Sequence, residues 1–203
     1  MYENERRELT DICRLLYDRN LVAASDGNVS LRVSPEHILL TPSGKNKGFL
    51  EPGQMLVVDF EGHVAEGEGK PSKEYPMHRA VYLGRSDAGA VVHTHPVFAT
   101  AFAMAGKNIP DNYLIETRMM LKGVSLAPYA QPGTLALAES IVPFLTKGNA
   151  VLLQNHGAVT WGKNGMDAFN KMEVLETVAK TIIMSAKLGA PVPISEEELA
   201  KMG

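Results

Sequence analysis

Apolar residues recur along this chain at two different periods, and each change of period marks a new element. Leu9, Ile12, Cys13 and Leu16 share one face of an amphipathic helix over residues 3–20. Residues 28–33 alternate instead, with Val29, Leu31 and Val33 apolar and Ser30 and Arg32 polar. That is the pattern of a half-buried strand, and the turn signal Asp26-Gly27-Asn28 precedes it. His37 to Leu40 is a second short strand that runs into the turn Thr41-Pro42-Ser43-Gly44. Residues 45–53 read as loop. Residues 55–60 and 63–65 flank Glu61-Gly62 as a hairpin. Residues 66–73 form a polar, glycine-rich loop just before Glu74.

Helical spacing returns at Met77, Ala80 and Val81, predicting a helix over 76–83 that stops at Gly84. Residues 88–94 are apolar and extended. A helix over 96–105 follows, with Pro96 in its first turn, where a missing N–H costs nothing. Residues 124–128 read as a strand, and 133–146 as a helix with Pro143 in its last turn or at a kink. Residues 149–154 are almost continuously apolar, which suits a central strand. After Asn155-His156-Gly157, residues 159–161 are extended again. The longest helical pattern covers 165–188, carrying Ala168, Phe169, Met172, Leu175, Ala179 and Ile182. Gly189 ends it and Pro191 follows. Ser195 and Glu198 form a capping box for a last short helix. No repeat or linker interrupts this order. The expectation is one α/β domain over residues 1–203, with a mostly antiparallel sheet covered by helices.

Bulk composition narrows the function classes. At 203 residues and 45% apolar content, the chain can bury a sizeable core. Its net charge of -3 is spread over interspersed signs, which argues against a nucleic-acid or membrane-surface footprint. A single cysteine allows no internal disulfide and fits a reducing compartment. Cys13 lies on the apolar helix face, so it reads as a small buried hydrophobe rather than a nucleophile. The first residues lack the apolar core of a secretion signal, and no apolar run has the length of a membrane span. The expected location is the cytoplasm.

The candidate chemistry starts at Val91-Val92-His93-Thr94-His95-Pro96. Alternate residues of a strand share a face, so the Cβ atoms of His93 and His95 stand about 6–7 Å apart. Single histidines usually make ordinary hydrogen bonds. His-x-His at the end of a hydrophobic strand favours a metal half-site instead. His156 is the best third ligand, because it also ends an apolar strand and precedes Gly157, which allows close backbone approach. His37, His63 and His78 have weaker contexts and read as structural or solvent-facing. Three imidazoles leave an open coordination position, as catalytic sites do. Zinc is the first choice for such nitrogen ligands; cobalt, nickel and manganese satisfy the same ligand type.

Glu74 reads either as a helix N-terminal carboxylate or as a general base or fourth ligand beside the metal. The turns at 26–30 and 41–44 combine glycine with hydroxyl and amide donors, and such turns can present N–H groups to an anion. Ser72 and Lys73 would add donors. Neither turn has the phosphate-loop or dinucleotide spacing.

Gly27-Asn28-x-Ser30, Thr41-Pro42-Ser43-Gly44, Pro71-Ser72-x-Glu74, His93-x-His95 and Gln154-x-His156-Gly157 stand in one order over nearly the whole chain. Together with Ala127-Pro128-Tyr129-Ala130 and Gly133-Thr134, they resemble the class II aldolase and adducin family, above all its fuculose-phosphate aldolases. The resemblance implies a three-layer α/β (α+β) sandwich with a central, mostly antiparallel sheet of about nine strands, assembled as a homotetramer with sites at subunit interfaces. It implies zinc on His93, His95 and His156, with Glu74 as fourth ligand in the empty site and acid/base in turnover. Gly27, Asn28, Ser43, Gly44, Ser72 and Lys73 would surround a substrate phosphate. Tyr113 would reach a neighbouring subunit's site and handle a proton.

The activity implied is reversible aldol cleavage of a ketose 1-phosphate, L-fuculose-1-phosphate-like, to dihydroxyacetone phosphate and an aldehyde. Two departures bear on the substrate. The family usually has two serines before the glutamate, where this chain has Ser72-Lys73. Ser-Lys-Glu also occurs in relatives that decarboxylate four-carbon oxo-acid phosphates, so a decarboxylase of a 3-oxo-tetronate 4-phosphate-like acid, or a sugar-phosphate dehydratase, is the alternative. A C-terminal tyrosine that closes the fuculose-phosphate enzyme's site has no counterpart up to Gly203. A non-catalytic adducin-like module would lack the metal ligands that this sequence retains, and a zinc hydrolase would leave the anion-binding turns unexplained.

Overall fold

The computed structural model describes residues 1–201; positions 202 and 203, which the one-domain expectation includes, lie outside the described residues. A single eight-stranded sheet runs through it. Its strands are β1 (Asn28–Arg32), β2 (His37–Leu40), β3 (Leu56–Asp59), β4 (Val64–Glu66), β5 (Ala90–Thr94), β6 (Val124–Ala127), β7 (Ala150–Leu153) and β8 (Gly157–Gly162). The spatial order is β4-β3-β2-β1-β5-β8-β7-β6, in line with the expected sheet of about nine strands. Every neighbouring pair is antiparallel except β6 with β7.

Strand alternation divides the core into two layers, one on each face. One face buries Val29, Leu31, Ala90, Val92 and Ala158 under α1 (Glu3–Asp18), α3 (Val97–Met104) and α6 (Gly165–Ser185). The other buries Val91, Val151, Val159 and Trp161 under α2 (Tyr75–Gly84) and α5 (Leu135–Ile141). Two short helices complete the set, α4 (Ile115–Met119) and α7 (Glu196–Ala200). This is the expected helix–sheet–helix sandwich. None of the described helices is long and apolar enough to cross a membrane. Cys13 is fully buried on α1, and burial pushes its thiol up to about 12, so it is an inert hydrophobe.

The differences from expectation have local causes. The helix expected over 133–146 is shorter. Gly133 takes a positive φ of 76°, and the Thr134 hydroxyl caps the helix by accepting from Leu137 N, so α5 starts at Leu135. Pro143 falls in a separate 3-10 turn, Val142–Phe144. Pro96 sits before its helix with extended dihedrals, as the N-cap of α3, rather than in the first turn. β7 is buried on both faces but lies second from the sheet edge, paired in parallel with β6. At α7 the Ser195 hydroxyl accepts from Glu198 N, which is one half of the capping box.

Candidate active site

His93 is the last but one residue of the wholly buried β5, and Asn28 at the start of β1 is its partner across the ladder. On the other side of β5, β8 begins directly after His156. Gly157 makes that approach feasible: a Cβ there would stand 2.5 Å from the Thr94 carbonyl and 2.6 Å from the His95 ring. Gly27 does the same before β1, with φ +72° and a Cβ position 2.8 Å from the His93 carbonyl. Beyond His95, the Glu176 carboxylate of α6 accepts from Phe98 N and Ala99 N, which fixes the N-terminus of α3.

The three imidazoles converge. Ring centroids of His93, His95 and His156 are 4.8, 4.9 and 5.1 Å apart, and one ring nitrogen from each lies within 4.8 Å of the others. His93 Nδ1 donates to the Ala158 carbonyl at 2.9 Å, which leaves Nε2 facing the cluster. His95 Nε2 stands 3.3 Å from His93 Nε2. Glu74, buried at the start of α2, completes the group. Its Oε2 is 3.1 Å from His93 Nε2 and its Oε1 is 3.1 Å from His156 Nε2. Three ring nitrogens and a carboxylate converging on one point are a donor set that fits a divalent metal.

Charge and burial set the titrating groups. Burial works to raise the Glu74 pKa, but the neighbouring His93 and hydrogen bonds from His156, His93 and Asn28 outweigh it, holding the carboxyl far below its ordinary range. Burial, then His93 and His156, push His95 down to about 4.

A cavity of about 410 Å³ opens beside Glu74, His95 and His156. Gly27, Asn28, Ser43, Gly44, Ser72 and Lys73 all line it, so the two turns and the Ser72-Lys73 segment meet on one wall. Two features differ from the sequence reading. The Asn28 side chain is already engaged: Nδ2 donates to Glu74 Oε2 at 2.7 Å, and Oδ1 accepts from His78 Nε2 at 2.5 Å. His78, read as structural or solvent-facing, is fully buried beneath Glu74, and its i, i+4 spacing from Glu74 on α2 was the available signal.

Lys47 was missed. It is 2% exposed, lines the cavity, and donates 2.8 Å hydrogen bonds to the carbonyls of Ser25 and Lys45, tying one turn to the other. Burial lowers its pKa, against the pull of Asp26 and Glu74. A lysine in a glycine- and proline-rich loop carries no sequence signal of burial. Tyr113 is half-buried against the α1, α3 and α6 core and does not line the cavity of its own chain.

The family model for the class II aldolase and adducin N-terminal domain matches residues 7–183. The chain belongs to that family. An L-fuculose phosphate aldolase of Methanococcus maripaludis is 38% identical over 169 residues, which is 83% of this chain and 91% of the relative. A 3-oxo-tetronate 4-phosphate decarboxylase of Escherichia coli is 33% identical over 183 residues, 88% of this chain and 86% of the relative. Among solved structures, an L-fuculose 1-phosphate aldolase superposes with a TM-score of 0.92 at 31% identity, covering 100% of this chain and 95% of that one. The chain is therefore an enzyme of the class II aldolase type, a metal-dependent class of lyase, and its three-histidine cluster provides a centre of the kind such an enzyme needs.

Proposed function

We propose that residues 1–203 form one class II aldolase domain that cleaves a ketose 1-phosphate, L-fuculose-1-phosphate-like, to dihydroxyacetone phosphate and an aldehyde. The observation that carries this reading is the juxtaposition of a His93–His95–His156–Glu74 cluster with the cavity wall at Gly27, Ser43, Gly44 and Ser72. His93, His95 and His156 would hold Zn²⁺, with Glu74 as a further ligand when no substrate is bound. When bound, the cation supplies Lewis acidity toward the ketose carbonyl and the enediolate charge that cleavage leaves.

The protein groups divide the remaining work. Gly27, Asn28, Ser43, Gly44, Ser72 and Lys73 hold the phosphate, which fixes the dihydroxyacetone-phosphate half in the cavity. Glu74 moves the proton on the enediolate carbon from a position against the cluster. Tyr113 serves a neighbouring protomer's site, where it exchanges a proton with the departing aldehyde's oxygen; its absence from its own chain's cavity fits that division. The assembly is a homotetramer. The exposed apolar Leu83, Leu135 and Val142 along one groove between α2 and α5 support association with another copy. The location is the cytoplasm, in line with the lone buried thiol.

The second reading is decarboxylation of a 3-oxo-tetronate 4-phosphate-like acid. It is favoured by Lys73 on the cavity wall and by the decarboxylase relative. One experiment separates the two. The zinc-loaded protein is given ketose 1-phosphates and 4-phospho-oxo-acids in parallel, and dihydroxyacetone phosphate, aldehyde and carbon dioxide are measured. Loss of carbon dioxide from such an acid also leaves dihydroxyacetone phosphate, so the co-product decides. Dihydroxyacetone phosphate with an aldehyde, from a ketose 1-phosphate, supports the aldolase, whereas dihydroxyacetone phosphate with carbon dioxide, from the acid alone, overturns it.

A further inference from the structure

A buried chain of hydrogen bonds runs from Tyr82 to Glu74. Tyr82 Oη lies 2.8 Å from Ser30 Oγ, and Ser30 Oγ lies 2.7 Å from His78 Nδ1. His78 Nε2 lies 2.5 Å from Asn28 Oδ1, and Asn28 Nδ2 lies 2.7 Å from Glu74 Oε2. Ser30 and His78 are wholly buried, so no solvent completes them.

The last link fixes the direction of all the others. An ionised carboxylate only accepts, so Asn28 turns its Nδ2 toward Glu74 and its Oδ1 toward His78. That oxygen also only accepts, so His78 Nε2 carries a hydrogen. Both ring nitrogens face neutral side chains in a wholly buried site, so the ring is neutral and Nδ1 is a bare acceptor. Nδ1 takes the Ser30 hydrogen, and Ser30 Oγ then accepts from Tyr82. Every hydrogen points toward Glu74, and links aligned in one direction polarise one another. Reversing any link leaves a buried donor or acceptor unpaired.

We propose that His78 is a positioning residue: its Nε2–H locks the Asn28 amide, and Asn28 holds Glu74 Oε2 in place, which sets the aim of the whole carboxylate, Oε1 included, at the histidine cluster. The proposal rests on the acid/base role of Glu74 given above. It goes beyond that role by making Asn28 a support of Glu74 as well as part of the phosphate wall, and by giving α2 a function in orienting the carboxylate.

The test uses zinc-loaded protein. His78→Phe removes both ring nitrogens, and His78→Gln puts an amide N–H where Nε2 stood. His78→Phe should lower kcat about 10–100-fold, the range for losing a group that orients a metal-site residue, with KM and zinc content little changed. His78→Gln should recover most of the loss. In an Asn28→Ala background, His78→Phe should cost little more, because the two act in series. Losses that multiply, or a fall shared between kcat and KM without rescue by His78→Gln, overturn the proposal and mark a merely structural role. Nitrogen NMR of the wild-type protein gives a readout free of activity: His78 should be neutral and protonated on Nε2, and an Nδ1–H tautomer or a charged ring overturns the direction of the chain. If wild type turns over neither class of substrate, the sugar-phosphate reading fails, and the tautomer alone then decides this proposal. If wild type is active and the variants multiply, this proposal fails alone.

Discussion

Acidification should destabilise the protein through His78, and the size of that effect follows from its burial. The ring is neutral in the fold, with its pKa pushed from 6.5 to about 3 by burial first and the His93 charge second. Below the unfolded value the unfolded chain binds a proton that the folded chain refuses, so stability falls as pH drops from 6.5 toward 3. Integrating between those limits gives a loss of about 2 kcal/mol at about pH 5 and about 3 kcal/mol at about pH 4. His95 and the carboxylates titrate as well, and a difference measurement cancels them to first order. Urea unfolding of metal-free wild type and His78→Gln, at one protomer concentration across this range, is the assay. The gap between the two stability curves should shrink or invert by about 2 kcal/mol between about pH 7 and about pH 5. Curves that stay parallel would show that His78 does not titrate differently in the fold, and the burial argument would be wrong.

The remaining predictions concern the site. Glu74→Gln should keep most of the bound metal and lose about 10²–10⁴-fold in kcat, and full retained activity would refute the acid/base role. His93→Ala should abolish both zinc content and turnover, which elemental analysis and a coupled assay check together. Lys47→Met leaves the Ser25 and Lys45 carbonyls without their donor. It should cost about 1–3 kcal/mol and weaken inhibition by inorganic phosphate; an unchanged melting curve sinks it. Lys73→Ser should raise KM about tenfold for a 3-oxo-tetronate 4-phosphate and less for a ketose 1-phosphate, since it removes one charge-assisted contact to a carboxylate. Equal effects on both would take Lys73 out of substrate choice.

Period alone placed most elements, although the alternation of β1 marks one apolar face and one face of buried polar groups, Asn28 and Ser30, rather than the half-buried strand expected. The strand over 28–32 and the helix over 165–185 followed directly from it. Partnership did not. The continuous apolar run of 150–153 says that both faces are buried and nothing about its neighbour, so its parallel pairing with 124–127 came only from the fold. The convergence of His93, His95 and His156 was legible because alternate strand residues share a face and His156 also ends an apolar run. Lys47 was not, and His78 offered only its i, i+4 spacing from Glu74, because the value of a buried polar group lies in its partners. His78 matters through Asn28, which is 50 positions away, and Lys47 through the Ser25 carbonyl, 22 away. No local pattern encodes either contact.

The topology explains why four distant segments meet at one point. β1 and β8 both run antiparallel to β5 and flank it. The starts of β1 and β8 therefore lie beside the end of β5, which brings Asn28 and His156 to His93. His95 extends the same end by one step. Glu74 arrives from outside the sheet, at the head of α2, the helix that covers this face through Met77, Val81 and Tyr82. Ser30, one alternation along from Asn28, faces the same helix and meets His78 and Tyr82 there. The packing of α2 on β1 and the aim of the Glu74 carboxylate are thus one arrangement. A substitution that shifts α2 along β1 must move Glu74 relative to the histidines, whereas one that loosens α1 or α6 on the opposite face leaves that pairing in place. Mutations of equal stability cost on the two faces should therefore differ in their effect on kcat.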